Sequence, residues 1–267
     1  MRALFIDTTH PYLENKLIDL GFECHHAQKL SEKDIKKKIH LYHGIIIRSR
    51  FTMDINFLEN AKNLKFIARA GSGTENIDLQ YLKERNIICF NAPKGNSKAV
   101  AEHALGMLLS LLNNIKNSDE EIRKDIWKRE KNRGTELNNK TIGIIGYGNT
   151  GSEFAKILSG IGLKILTYDK YKKRYPFESS MQKIFEKADI ISFHIPLNTE
   201  TFKICNKKFI QNFSKPIYII NTSRGDCVDT KALVSGLKTK KILGACLDVF
   251  EYEKKSFANF KSTKKYR

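Results

Sequence analysis

The tightest cluster of residues able to do chemistry is Gly146-Tyr147-Gly148-Asn149-Thr150-Gly151, a G-x-G-x-x-G run. It follows the β-rich stretch Thr141 to Ile145 and opens a helical pattern carrying Phe154, Ala155, Ile157 and Leu158. In that setting Gly146 permits a tight turn, Gly148 lets backbone N–H groups approach a pyrophosphate, and Gly151 lets the helix pack on the strand. Phosphates so placed meet the positive end of the helix. The next strand ends at Asp169, 18 residues past Gly151. A carboxylate there accepts hydrogen bonds from ribose hydroxyls and repels a 2′-phosphate. The spacing therefore predicts a dinucleotide site taking NAD in preference to NADP. A purely structural glycine turn is the alternative, and Lys170, Lys172 and Lys173 keep NADP open because a lysine neutralises an extra phosphate.

Two more strand ends carry polar tips. His194-Ile195-Pro196 follows the apolar run ending at Phe193, and Asn221-Thr222-Ser223-Arg224-Gly225 follows Ile219-Ile220. Arginine after a buried strand and beside glycine is poorly suited to a core and well suited to gripping a carboxylate bidentately. The last such run, Gly244 to Phe250, ends near Asp248 and is followed by Glu251 and Glu253. By residue type alone these acids read as a solvated loop.

Positioning these groups requires a scaffold of buried strands. Short apolar runs at Arg2–Ile6, Phe22–His26, Ile45–Arg48, Lys65–Arg69 and Ile87–Phe90 alternate with helical spacing. A second series follows at Thr141–Ile145, Lys164–Tyr168, Asp189–Phe193, Ile217–Ile220 and Gly244–Leu247. Continuous apolar strands separated by helices imply parallel sheets covered on both faces. The fold class expected is α/β with two doubly wound parallel-sheet domains, residues 1–95 and 96–253, followed by a basic tail at 254–267. Clustered Pro and Gly at 91–97 mark the boundary. The longest helical pattern, Ser97 to Asn117, presents a wide apolar stripe including Val100, Ala104, Leu108 and Leu112. A homodimer through this helix is expected, a core-only role being the alternative.

Of the 267 residues 41% are hydrophobic and 28% charged, an ordinary globular balance. No apolar run approaches the ~20 residues that span a bilayer. The start, Met1 to Asp7, lacks the apolar core of a secretory signal, so a cytoplasmic location is expected. Five cysteines with no C-x-x-C pair suggest buried thiols rather than a disulfide framework or a metal site. Lys and Arg number 47 against 29 acids, a net charge of +18. That excess would permit nucleic-acid binding, but the lysines are scattered and no nucleic-acid motif accompanies them, so a solvated surface is the better reading.

Taken in order, Gly146 to Gly151 with Asp169, His194-Ile195-Pro196, Asn221 to Asp229, and Gly244 to Phe250 closely resemble the NAD-dependent D-2-hydroxyacid dehydrogenases. Segments Arg69 to Asp78, Asn91 to Ser97 and Trp127 to Leu137 resemble the D-3-phosphoglycerate dehydrogenase branch. The resemblance covers residues 1 to about 253. It implies a flavodoxin-like substrate domain and a Rossmann NAD-binding domain, with hydride exchanged between C2 of a small-molecule 2-hydroxy acid and the nicotinamide. By motif, Arg224 binds and polarises the substrate, and Glu253 pairs with a catalytic histidine and raises its pKa. Asn149 and Thr150 approach the pyrophosphate, while Ser223 and Asp248 meet the nicotinamide end. His194, Pro196 and Thr222 belong with them at the cofactor. Ser72 and Gly73 contact the substrate carboxylate through their backbone, and Arg48 and Arg69 are candidates for a substrate phosphate, with structural salt bridges the competing role. The family's Pro-His motif after the glutamate has no counterpart in the sequence, which holds no histidine after His194. NAD binding with strongly reduced turnover is therefore expected of the polypeptide as given, since general acid–base catalysis is worth 10²–10⁴-fold. Glyoxylate, hydroxypyruvate or D-lactate are alternative substrates, and an NAD-sensing corepressor is an alternative class.

Overall fold

The computed structural model describes residues 1–252, which fall into two compact units, Met1–Asn96 and Ser97–Tyr252. In the first unit β1 (Arg2–Phe5), α1 (Pro11–Asp19), β2 (Glu23–His26), α2 (Glu32–Lys38), β3 (Gly44–Ile47), α3 (Ile55–Leu58), β4 (Phe66–Arg69), α4 (Leu79–Glu84) and β5 (Ile88–Asn91) alternate. The five strands form one sheet in the order β2-β1-β3-β4-β5, every pair parallel. Side-chain alternation sends Leu4, Ile45, Ile47 and Ile67 into one core layer and Ala3, Phe5 and Ile46 into the other. Burial on both faces is why these strands read as unbroken apolar runs.

The second unit begins with α5 (Ser97–Leu112) and α6 (Ile115–Ile122) and continues through β6 (Thr141–Ile145), α7 (Asn149–Leu158), β7 (Lys164–Tyr168), α8 (Met181–Lys187), β8 (Ile190–Phe193), α9 (Lys207–Gln211), β9 (Ile217–Asn221), α10 (Thr230–Lys238) and β10 (Ile242–Leu247). Its sheet has the order β10-β9-β8-β6-β7, again all parallel. The order reverses at β6, and in such sheets ligands bind beyond the carboxyl ends of the strands at the reversal. Ile142, Ile144, Ile190 and Ile220 face one layer with α5 and α7, while Ile145, Ile191, Phe193 and Ile219 face the other with α8 and α9.

One expectation needs correcting. The helix expected over Ser97–Asn117 stops at Leu112, and a separate helix starts at Ile115. Asn114 sits between them in the left-handed region, φ 51°, which asparagine tolerates better than most residues. The break is held from outside the helix: the Thr135 N–H donates to the Leu112 carbonyl at 2.9 Å. Among the described residues no helix is long and apolar enough to cross a membrane.

Candidate dinucleotide site

Seven helices begin with a side chain accepting a backbone N–H: His10, Ser31, Asp54, Asp78, Ser180, Asn206 and Asp229. Such caps satisfy donors that a helix start leaves unpaired. Helix α7 starts on Gly148, which brings no capping side chain, so its first N–H groups are left for another acceptor. The surrounding glycines have distinct reasons to be glycine. Gly146 has φ +92°, and a Cβ there would overlap the His194 carbonyl. At Gly151 a Cβ would overlap the Gly146 carbonyl oxygen, so the helix meets the turn with no room for a side chain. Gly148 has nothing within 4 Å of its Cβ position. That open space beside uncapped N–H groups is the shape a diphosphate needs.

Asp169, just past β7, is tied to this turn. Its Oδ2 accepts the Tyr147 N–H at 2.8 Å, and its Oδ1 accepts those of Tyr171 and Lys172 at 2.9 and 3.0 Å. Burial pushes the carboxyl upward, but the three N–H donors outweigh it and hold the pKa below its ordinary value. The group is thus ionised at neutral pH, and Oδ2, bonded once, keeps a lone pair for a sugar hydroxyl. Tyr175 supports it: its hydroxyl accepts the Asp169 N–H at 2.7 Å while its ring stacks on Tyr147 at 4.6 Å. Replacing Asp169 by alanine leaves three N–H groups without their acceptor. We expect a loss on the order of 1–3 kcal/mol in urea unfolding and at least tenfold weaker NADH binding by fluorescence titration.

A cavity of about 470 Å³ opens here, lined among others by Gly146, Gly148, Asp169, His194 and Pro196. The structure thereby gathers five of the sequence-predicted cofactor residues at one place, with Asn149, Thr150 and Gly151 in the adjoining first turn of α7. His194 keeps some exposed surface, yet its ring is enclosed: Nε2 lies 2.9 Å from the Ser192 hydroxyl and Nδ1 is buried without a hydrogen-bond partner. Burial drives its pKa down to about 4, so the imidazole is neutral. The buried hydroxyl of Thr222 likewise has no partner. Open space at Gly148, uncapped donors and two unsatisfied polar atoms at neighbouring strand ends fit a polar cofactor rather than an empty structural turn.

Thr222, Ser223 and Arg224 follow β9, and Asp248 follows β10, at the same sheet edge but outside the lining of this cavity. The Ser223 hydroxyl, proposed from sequence as a cofactor contact, is buried and donates to Asn221 Oδ1 at 2.7 Å. Asn221, which sequence reasoning did not single out, also donates to the Arg224 carbonyl at 3.0 Å and so sets the loop that carries the arginine. Gly225 packs so closely under the Phe250 carbonyl that no Cβ fits. Asp248 pairs with His103 of α5 at 3.3 Å, both side chains about half exposed. Glu251 is not a free loop residue: it accepts the Thr230 N–H at 2.8 Å and pairs with Lys203 at 2.6 Å. Glu253 lies outside the described residues.

In the first unit, Arg69 ends β4 beside Ile47 of β3, with Arg48 next along, so both arginines stand at the carboxyl edge of that sheet. Arg48 is exposed, and its N–H donates to Asp7 Oδ2 at 2.6 Å. The Arg69 guanidinium, the movable end of a long side chain, lies where a Cβ of Gly71 would be. The Ser72 carbonyl accepts from Asn91 at 2.7 Å, and Gly73 follows it in the same part-exposed loop. Among the described residues no group of three or more His, Cys, Asp or Glu is placed to hold a metal ion.

Known proteins match this arrangement. Residues 105–265 match the family model described as D-isomer specific 2-hydroxyacid dehydrogenase, NAD binding domain. Hydroxypyruvate reductase of Thermotoga maritima is 36% identical over 85% of this chain and 75% of its own length. D-3-Phosphoglycerate dehydrogenase of Archaeoglobus fulgidus is 33% identical over 87% of this chain and 45% of its own. The chain spans about half the length of the curated D-3-phosphoglycerate dehydrogenases it matches. Among solved structures, the D-lactate dehydrogenase of Aquifex aeolicus complexed with NAD and lactic acid aligns with TM-score 0.80 at 29% identity, covering 95% of this chain and 78% of that one. Another, the TT0316 protein of Thermus thermophilus, aligns with TM-score 0.85 at 28% identity over 95% and 83%. With the glycine turn, the acid at 169 and the parallel sheet order already in place, the chain belongs to the D-isomer specific 2-hydroxyacid dehydrogenase family.

Proposed function

We propose that the chain binds NAD in its second unit and serves the NAD-dependent oxidation of a D-2-hydroxy acid, with D-3-phosphoglycerate, the precursor of 3-phosphohydroxypyruvate in serine biosynthesis, as the preferred substrate. The observation that carries the cofactor half is the uncapped start of α7 over the open Gly148, beside an ionised Asp169. The bound nicotinamide supplies the hydride acceptor. Arg224, held by Asn221, binds the substrate carboxylate and stabilises negative charge on the C2 oxygen. The resemblance would pair Glu253 with a catalytic histidine for proton transfer, and the 267 residues hold no histidine after His194 to take that place. NADH titration by fluorescence tests the cofactor half: saturation at micromolar to low millimolar levels is expected, and no uptake by folded protein overturns it.

The phosphate preference rests on Arg48 and Arg69 at one sheet edge, and on the D-3-phosphoglycerate dehydrogenases among the relatives. The 36% identity to a hydroxypyruvate reductase supports the unphosphorylated acid as the second reading. Replacing both arginines by alanine separates them. Isothermal titration of the NADH-loaded protein should show at least tenfold weaker binding of 3-phosphoglycerate and little change for glycerate. Equal losses for both acids favour the second reading.

We also propose a cytoplasmic homodimer. Helix α6 exposes Ile115 and Ile122, Trp127 nearby is 77% exposed, and a shallow hollow of about 680 Å³ lies between α5 and β10. Light scattering should report twice the chain mass, reduced to one chain by Ile122→Glu with Trp127→Glu. A monomeric wild type overturns it.

A further inference from the structure

Four basic residues, Lys170, Lys172, Lys173 and Arg174, directly follow the ribose-facing Asp169. Left free, such a cluster attracts a 2′-phosphate. Two of the four are engaged. Lys172 Nζ donates to the Tyr147 carbonyl across the glycine turn at 2.8 Å. Lys170 Nζ lies 2.7 Å from Glu200 Oε1, and the Tyr171 hydroxyl donates to Glu200 Oε2 at 2.7 Å. Glu200 comes from the loop after β8, thirty residues away in sequence, and lines the same cavity as Asp169, Lys170 and Tyr171.

The loop is built to hold that carboxylate. Asn198 Oδ1 accepts the N–H groups of Glu200 and Thr201 at 2.9 and 3.0 Å. The Thr201 hydroxyl accepts the Asn198 N–H at 2.8 Å and donates to the Pro196 carbonyl at 2.6 Å. An exposed ion pair adds little to the stability of a fold. Stability is thus a weak reason for a carboxylate, a lysine and a tyrosine to converge on the rim of a ligand cavity.

We infer that Glu200 is a specificity-determining residue, its carboxylate occupying Lys170 and Tyr171 so that the adenosine end of the cavity rejects a 2′-phosphorylated dinucleotide. The inference rests on the dinucleotide reading given above. Three features act together: Asp169 repels the phosphate, Glu200 adds a second negative charge, and Lys170 is removed as a counter-charge. The mutual pull agrees: Lys170 lowers the Glu200 pKa, and Glu200 raises that of Lys170.

The test is direct binding, measured by calorimetry, of NADH, NADPH, AMP and adenosine 2′,5′-bisphosphate to the full chain. Glu200→Gln keeps the side-chain shape and removes the charge. It should raise the NADPH-to-NADH affinity ratio about tenfold, the effect of one charge in a partly solvated site, and shift the bisphosphate-to-AMP ratio equally. Adding Lys170→Ala to Glu200→Gln removes both charges and should return the ratios toward wild type. Lys170→Ala alone, leaving Glu200 unneutralised, should depress NADPH further. Wild-type NADH binding with ratios unchanged within twofold in Glu200→Gln overturns the role of Glu200 alone. Failure of the folded wild type to bind NADH or AMP overturns the dinucleotide reading and this inference with it.

Discussion

Gly148→Val should weaken NADH binding by about 100-fold while leaving urea unfolding within about 1 kcal/mol of wild type. Gly148 has a negative φ of −79°, and its Cβ position has nothing within 4 Å. A Cβ there meets no protein atom, so the folded state has little reason to lose stability. It occupies instead the space in front of the first N–H groups of α7, where no protein side chain competes for them. Hydrogen bonds to a charged group are worth about 1.5–3 kcal/mol each, and losing one or two accounts for the expected change. Gly151→Ala provides the contrast, because its Cβ would overlap the Gly146 carbonyl oxygen and approach the His194 Cβ at 3.3 Å. That variant should lose stability on the order of 2 kcal/mol or more, since overpacking against backbone has nowhere to relax. Equal stability of the two variants, or undiminished NADH affinity in Gly148→Val, would show that the turn does not face phosphate.

Between pH 6.5 and pH 4 the protein should lose stability on the order of 3 kcal/mol through His194 alone. The pKa of this histidine falls from 6.5 when unfolded to about 4 in the fold, through burial. In that interval the unfolded chain takes up a proton that the folded chain refuses, so unfolding becomes easier as pH falls, by about 1.4 kcal/mol per unit at most. Above about pH 7.5 the imidazole is neutral in both states and the contribution is constant. Asp169 acts lower on the scale. Its depressed pKa means that its contribution is complete above the ordinary carboxylate range and disappears as pH drops through its folded value. Urea titrations at pH 7 and pH 5 test the histidine. His194→Gln should shrink the difference between the two midpoint stabilities by about 2 kcal/mol, and an unaltered difference assigns the acid sensitivity elsewhere.

Much of this architecture was legible before any coordinates. All ten strands lie within two or three residues of their expected places, because a strand buried on both faces must be apolar throughout and chain-local signals mark its ends. The glycine turn was legible for a similar reason: φ +92° at Gly146 and the closeness of Gly151 to Gly146 are requirements met within six consecutive residues. The break at Asn114 was not, since apolar periodicity runs through it and the Thr135 contact that holds it comes from twenty-one residues on. Nor was the fate of Glu251, which residue type assigned to solvent and which the fold pins between Lys203 and the start of α10.

Sequence alone thus determined the strand series, the glycine turn, the acid at 169 and the family, all of which depend on residues close together in the chain. Only the tertiary structure decided the charge seen by an incoming ligand. Lys170 and Lys172 read as free cations in the sequence, yet one is matched by a carboxylate thirty residues away and the other by the carbonyl of Tyr147. Electrostatic interaction depends on distance through space and on the intervening dielectric, and neither quantity exists until the loop after β8 is brought against the end of β7.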